Sequence, residues 1–175
     1  MRIAIDFDDT IVNTSKTVKD FLVKYDFEIK SSDDKIKFYK KHVDDITKCL
    51  GFIDEAKETI KLLNHKHEIY LITARNDYDY SNNLLKLTDE FIAKNNLNFT
   101  KVIYDCFGVN KAKECKNNNI DLFIDNDVRN CLEVSKLGIN TILFGDLVDE
   151  KKYKEEIKNL NNVKTWKEIL NYLNN

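Results

Sequence analysis

Residues 2–14 read R-I-A-I-D-F-D-D-T-I-V-N-T, and Asp6, Asp8 and Asp9 put three carboxylates into four positions directly after an apolar run. A short continuous apolar run is the pattern of a strand buried in a parallel sheet. Acidic side chains at its end are costly unless a metal, a helix terminus or water takes the charge. Three further stretches put chemistry behind an apolar run: Thr73-Ala74-Arg75 after residues 69–72, Lys111 at the helix start beyond residues 102–104, and Asp125-Asn126-Asp127 after residues 122–124. This mixture of carboxylates, a hydroxyl, a lysine and an arginine suits phosphoryl chemistry. Carboxylates on two strands can hold Mg²⁺, which uses one or two carboxylates together with water and substrate phosphate. The metal cancels the repulsion between an anionic nucleophile and an anionic phosphate, and a carboxylate can then attack phosphorus. A second carboxylate two residues on can protonate the leaving oxygen and later deprotonate water, a contribution of ~10²–10⁴-fold. Lysine and a hydroxyl bind the equatorial oxygens.

The spacing of apolar residues predicts the elements that carry these groups. Strands are expected over residues 2–7, 69–72, 102–104, 122–124 and 141–144. Helices are expected over 13–27, 35–50, 53–65, 80–95, 110–117, 128–137, 150–160 and 166–173. Strands alternating with helices argue for an α/β protein with a doubly wound parallel sheet in three layers. The right-handed crossover rule brings the four clusters to one edge of that sheet, where ligands of open α/β sheets bind. The stretch between the first two strands is longer than one crossover helix needs. Residues 14–51 are therefore expected to form a small inserted helical cap, with the α/β core made of residues 1–13 and 52–175.

Composition bounds the rest. A chain of 175 residues is enough for one domain and a small insertion. A net charge of -2 gives no basic surplus for a nucleic-acid partner. Apolar runs are too short to span a membrane, and the immediate entry into a strand predicts no signal peptide. Cys49, Cys106, Cys115 and Cys131 lack C-x-x-C spacing, so reduced thiols, a cytoplasmic location and no zinc site are expected.

Asp6-Phe7-Asp8-Asp9-Thr10 resembles the D-x-D-x-T first motif of the haloacid dehalogenase superfamily of phosphohydrolases. Leu71-Ile72-Thr73-Ala74-Arg75 is similar to its second motif, Lys111 to its third-motif lysine, and Phe123-Ile124-Asp125-Asn126-Asp127 to its acidic fourth motif. The resemblance covers residues 3–144 in the family's order. It implies a Rossmann-like core, Asp6 as nucleophile, Asp8 as general acid/base, and Mg²⁺ held by Asp6, the main-chain carbonyl of Asp8, and Asp125. It implies Thr73 and Lys111 as phosphate ligands. Asp127 is a supporting acid in this reading, with Asn126 as the other residue that could complete the fourth motif. Asp9 stands where the family often has Gly and is read as a turn residue. The presence of Asp8 argues against carbon–halogen cleavage. The insertion after the first motif and the F-D-D-T opening are similar to the 5'(3')-deoxyribonucleotidases and nearby bacterial nucleotidase-like proteins. The expected substrate is a small phosphate ester, foremost a (deoxy)nucleoside monophosphate. The alternatives are a sugar-phosphate or polynucleotide-end phosphatase, and a non-catalytic regulatory module. The leaving group and the oligomeric state stay open.

Other residues have plainer readings. Arg75 and Arg129 could pair bidentately with Asp or phosphate, and a structural ion pair is the expected role. His65 and His67 belong to a turn at the opposite sheet edge. His42 is expected to pack inside the insertion. Phe21, Tyr25, Phe38 and Tyr39 recur at helical spacing and read as core before they read as a base-stacking platform. Trp166 should anchor the last helix to the sheet, and residues 151–158 read as a solvated helix face.

Overall fold

Six parallel strands lie side by side in the order β3-β2-β1-β4-β5-β6 in the computed structural model of the protein, which describes residues 1–146, 153 and 155–174. They are β1 (Arg2–Ile5), β2 (Glu68–Ile72), β3 (Lys101–Ile103), β4 (Leu122–Asp125), β5 (Asn140–Phe144) and β6 (Asn161–Val163). In register, Ile3 faces Ile69 on one side and Leu122 on the other, and Ile5 faces Leu71 and Ile124. Strand side chains alternate between faces. Ile3, Ile5, Ile69, Leu71, Leu122 and Ile124 therefore share one apolar layer, and Ala4, Tyr70, Ile72 and Phe123 the other.

The first layer is covered by α3 (Ala56–Leu63), α4 (Leu84–Lys94) and α7 (Trp166–Asn174), through Ile60, Phe91 and Ile169 among others. The second is covered by α5 (Val109–Asn117) and α6 (Val128–Ser135), through Ala112, Cys115, Cys131 and Val134. Helices on both faces give the expected three layers. Strand order reverses between β1 and β4, so a crevice opens at their carboxyl ends. The N–H of Asp6 donates to the carbonyl of Ile124 across that junction at 2.9 Å.

Between β1 and α3 the chain makes a helical pair, α1 (Thr14–Lys24) and α2 (Ser32–Lys48). Its own apolar cluster joins Val18, Phe21, Phe38 and Ile46. Ser31 caps α2, its hydroxyl accepting from the N–H of Asp34 at 3.1 Å. The pair leaves and re-enters the core through a paired neck. Asn13 N–H donates to Gly51 at 2.9 Å and Ile53 N–H to Ile11 at 3.0 Å.

Three expectations are corrected. Strand β6 was not foreseen, because Asn161-Asn162-Val163 is short and polar. Among the described residues it pairs only with β5, at the sheet edge, where burial on both faces is not required. The helix expected over 150–160 is not a single α-helix. Residues 150–152 and 154 lie outside the described residues, as does part of the predicted solvated face, and Glu156–Asn159 form one 3₁₀ turn. The helix expected from residue 80 starts at Leu84. The amide of Asn76 holds a turn there by accepting from the N–H groups of Tyr78 and Asp79 at 3.2 and 3.0 Å. Among the described residues no helix is long and apolar enough to cross a membrane.

Candidate active site

Asp6 and Asp125 sit at the carboxyl ends of adjacent strands and point at one cation. Lys111 Nζ lies 2.5 Å from Asp6 Oδ1 and 2.6 Å from Asp125 Oδ2, and all three side chains are buried. Lys111 reaches them from the first turn of α5, whereas Lys113, the other lysine of that stretch, is exposed. Two buried carboxylates share one ammonium, so one negative charge is left uncompensated. Burial pushes the Asp6 carboxyl up to about 8, with Lys111 opposing the shift and Asp125 and Asp8 adding to it. Burial raises Asp125 as well, against Lys111. Burial alone would lower Lys111, but the two carboxylates hold it above its ordinary value.

Asp8 faces a different partner. Arg75 grips it bidentately, Nε to Oδ2 at 2.9 Å and Nη2 to Oδ1 at 2.7 Å. The Thr14 hydroxyl donates to Oδ1 at 2.5 Å. Burial would raise this carboxyl, but Arg75 and Thr14 hold it below the usual carboxylate range. The expected ion pair of Arg75 thus exists, and its partner is the proposed acid/base. Arg129 pairs with Asp127, its Nη2 2.6 Å from Oδ2.

The remaining candidates divide. Thr73 is buried beside Asp6 and Lys111 in the same cleft. Asp127 also lines the cleft, but its carboxylate caps α6 by accepting from the N–H of Arg129 at 2.8 Å. Burial would raise Asp127, and its bonds to Arg129 outweigh that and lower it. Asn126 accepts from Thr10 at 3.4 Å. Asp9 has φ +55°, a left-handed geometry that Asp tolerates. Its carboxylate accepts from the N–H of Ser15 at 2.7 Å and so caps α1.

Beside the carboxylates the cleft widens into a cavity of about 360 Å³ between α2 and the loop after β2. Tyr39, Val43 and Ile46 form one wall, Asp79, Tyr80 and Leu84 the other, and Asp8, Asp9 and Arg75 close the inner end. The rings of Tyr39 and Tyr80 lie 5.1 Å apart. Phe21, Tyr25 and Phe38 surround His42 instead, with Tyr25 stacked on it at 4.2 Å. Of the four aromatics read as core, Tyr39 is the one that lines the cavity.

No family model matches the chain. A Bacillus subtilis (strain 168) protein provisionally named a nucleotidase, YqfW, is 30% identical over 121 residues, which are 69% of this chain. The chain spans 58% of that relative's length. A haloacid dehalogenase-like hydrolase of Streptococcus pneumoniae has the same fold, with a TM-score of 0.69 at 10% identity over 98% of this chain and 97% of its own. So does YfnB of Bacillus subtilis, provisionally named a HAD-hydrolase and solved with magnesium bound. Its TM-score is 0.69 at 12% identity over 99% and 98% of the two chains. A HAD-family enzyme of Bacteroides thetaiotaomicron, solved with magnesium and inorganic phosphate, gives 0.53 at 16% identity over 85% and 96%. The chain has the haloacid dehalogenase superfamily fold.

On this haloacid dehalogenase fold the four motif stretches meet around one cleft, lined by Asp6, Asp8, Thr73, Lys111 and Asp125. Among the described residues no three His, Cys, Asp or Glu side chains gather as a metal cluster. A hard divalent cation fits the donors nonetheless. The Asp6 and Asp125 carboxylates are hard oxygen donors, and between them they carry one more negative charge than Lys111 compensates.

Asn130 is a site residue that the sequence reading missed. Its amide donates to Asp125 Oδ2 at 3.0 Å and accepts from the N–H of Gly108 at 2.7 Å, locking the carboxylate to the start of α5. Its position in the first turn of α6, five residues after Asp125, was the available signal.

Proposed function

We propose that the protein is a Mg²⁺-dependent phosphomonoesterase that works through an aspartyl-phosphate on Asp6. The observation that carries this reading is the buried Asp6–Lys111–Asp125 triad at the β1/β4 junction, with Asp8 two residues on at the inner end of the wider cavity. A carboxylate of Asp6 forms the bond to phosphorus as the ester P–O bond breaks, and Asp8 gives a proton to the departing oxygen. Asp8 then takes a proton from water, whose oxygen attacks phosphorus and returns the Asp6 carboxylate. Asp8 stands ionised beside Arg75, the form needed for this second step, so it takes up a proton from solvent before the first step and regains one from the attacking water in the second. Thr73 and Lys111 hold the phosphoryl oxygens. Asp6, Asp125 and the Asp8 carbonyl would hold Mg²⁺, which supplies the positive charge that lets an anionic phosphate approach a carboxylate.

The helical pair α1–α2 serves as the cap, and its cavity takes the leaving group. Tyr39 and Tyr80 suit a flat ring, while Asp9 and Asp79 repel a second phosphate. A nucleoside monophosphate satisfies both conditions better than a diphosphate or a bisphosphorylated sugar, and the nucleotidase name of YqfW points the same way. The test is phosphate release with Mg²⁺ from ribo- and deoxyribonucleoside monophosphates, sugar phosphates and an aryl phosphate, with Asp6→Asn as the blank. Turnover concentrated in one nucleotide group supports the full reading. Activity equal in the blank overturns the mechanism, and a preference for sugar phosphates overturns the substrate class.

A further inference from the structure

The Asp8–Arg75 pair is tied to both roots of the helical insertion. Thr14, the first residue of α1, donates its hydroxyl to Asp8 Oδ1 at 2.5 Å. Thr47, in the last turn of α2, accepts from Arg75 Nη1 at 3.3 Å, and Thr88 of α4 accepts from the same nitrogen at 3.1 Å. The guanidinium also rests over the ring of Phe7, 4.7 Å from its centre. Every nitrogen of the guanidinium therefore has a fixed partner, and the group is buried, whereas the Asp8 side chain is 33% exposed toward the cleft. A planar fork held on three sides leaves the carboxylate it grips little rotational freedom.

We propose that Arg75 is the positioning residue for the acid/base Asp8, and that Thr14 and Thr47 make the seating of the helical insertion set how Asp8 is aimed. The proposal rests on the phosphatase reading above. Both roots of the insertion end on the two halves of one ion pair, so a shift of α2 moves the Thr47 hydroxyl and with it the fork that aims Asp8. Proton delivery to the leaving oxygen then depends on the insertion being seated. A misaimed acid harms esters with poor leaving groups and largely spares those whose oxygen departs without help.

The experiment compares kcat/KM, which reports steps up to the first irreversible one, for p-nitrophenyl phosphate and for an alkyl phosphate. Wild type, Asp6→Asn, Asp8→Asn, Arg75→Lys and Thr47→Val are measured side by side. Arg75→Lys keeps the charge but loses the fork. It is expected to lower the alkyl value by ~10²-fold and the aryl value by under ~10-fold, following the direction of Asp8→Asn. Thr47→Val keeps the shape of a buried side chain and is expected to lower the alkyl value by about 3- to 10-fold with the aryl value near wild type, a positioning loss at the low end of acid catalysis. Free guanidinium added to Arg75→Ala should restore alkyl turnover in part. Equal losses on both substrates in Arg75→Lys and Thr47→Val, or a raised KM with kcat unchanged, would overturn the proposal by making Arg75 a structural or phosphate-binding group. If Arg75→Lys fails to fold, Thr47→Val decides alone. Turnover surviving in Asp6→Asn would instead sink the phosphatase reading itself.

Discussion

Lys111 Nζ sits 2.6 Å from Asp125 Oδ2 in a spot closed to solvent, while the same nitrogen also serves Asp6. The lysine is therefore a structural counter-charge as well as the proposed phosphate ligand. Lys111→Met should destabilise the fold by ~3–5 kcal/mol, because two buried carboxylates lose their cation. Chemical denaturation measures this, and adding Asp125→Asn to Lys111→Met should recover part of the loss. An unchanged denaturation midpoint in the single variant would contradict the charge count.

Divalent metal should act on stability as well as on rate. Mg²⁺ bound only by the folded chain raises stability by ~2.7 kcal/mol at a hundredfold excess over its Kd. A melting curve with and without Mg²⁺ should show a shift of several degrees in the wild type and little or none in Asp125→Asn. Chelator should stop phosphate release. Equal shifts in both proteins would place the metal elsewhere.

His42 gives a pH signature remote from the carboxylates. Burial among Phe21, Tyr25 and Phe38 lowers its pKa, Lys41 and Lys24 act in the same direction, and Asp45 opposes them. The unfolded chain then holds more protons than the folded one just below the ordinary histidine value of about 6.5. This contribution is complete above that pH and is lost as pH falls through it toward the lower folded value. Imidazole resonances followed by NMR should titrate below 6.5, and His42→Phe should flatten the slope of stability against pH below about 6.5. A titration above 6.5 would refute the packing argument.

Trp166 Nε1 donates to the buried carbonyl of Thr10 at 2.9 Å, and its ring packs on Phe144. Trp166→Phe keeps the aromatic contact and strands that carbonyl, a loss of ~1–3 kcal/mol. Thermal melting should fall by several degrees. A melt indistinguishable from wild type would mean that water replaces the indole.

Much of this fold was legible because buried parallel strands announce themselves. The apolar runs before Asp6, Thr73 and Asp125 fixed both the strands and the edge where their acids emerge. β6 was not legible, since an edge strand of Asn-Asn-Val carries no apolar pattern. The candidate site was legible where a residue type is chemically dear, as with Asp6, Asp8, Lys111 and Asp125, which line one cleft. It was not legible where a common residue acts through its orientation. Asn130 bridging Asp125 to Gly108, Thr47 reaching Arg75, and Tyr80 facing Tyr39 depend on how helices and a loop settle against each other. No local pattern carries that information.

The bond from Trp166 to Thr10 spans 156 positions of sequence and closes on the loop that follows the proposed nucleophile. During synthesis residues 6–10 leave the ribosome early, yet that loop lacks its last support until residue 166 has emerged. Stalled or truncated products that end before the tryptophan would carry all four motif stretches and still lack the strut that steadies the first.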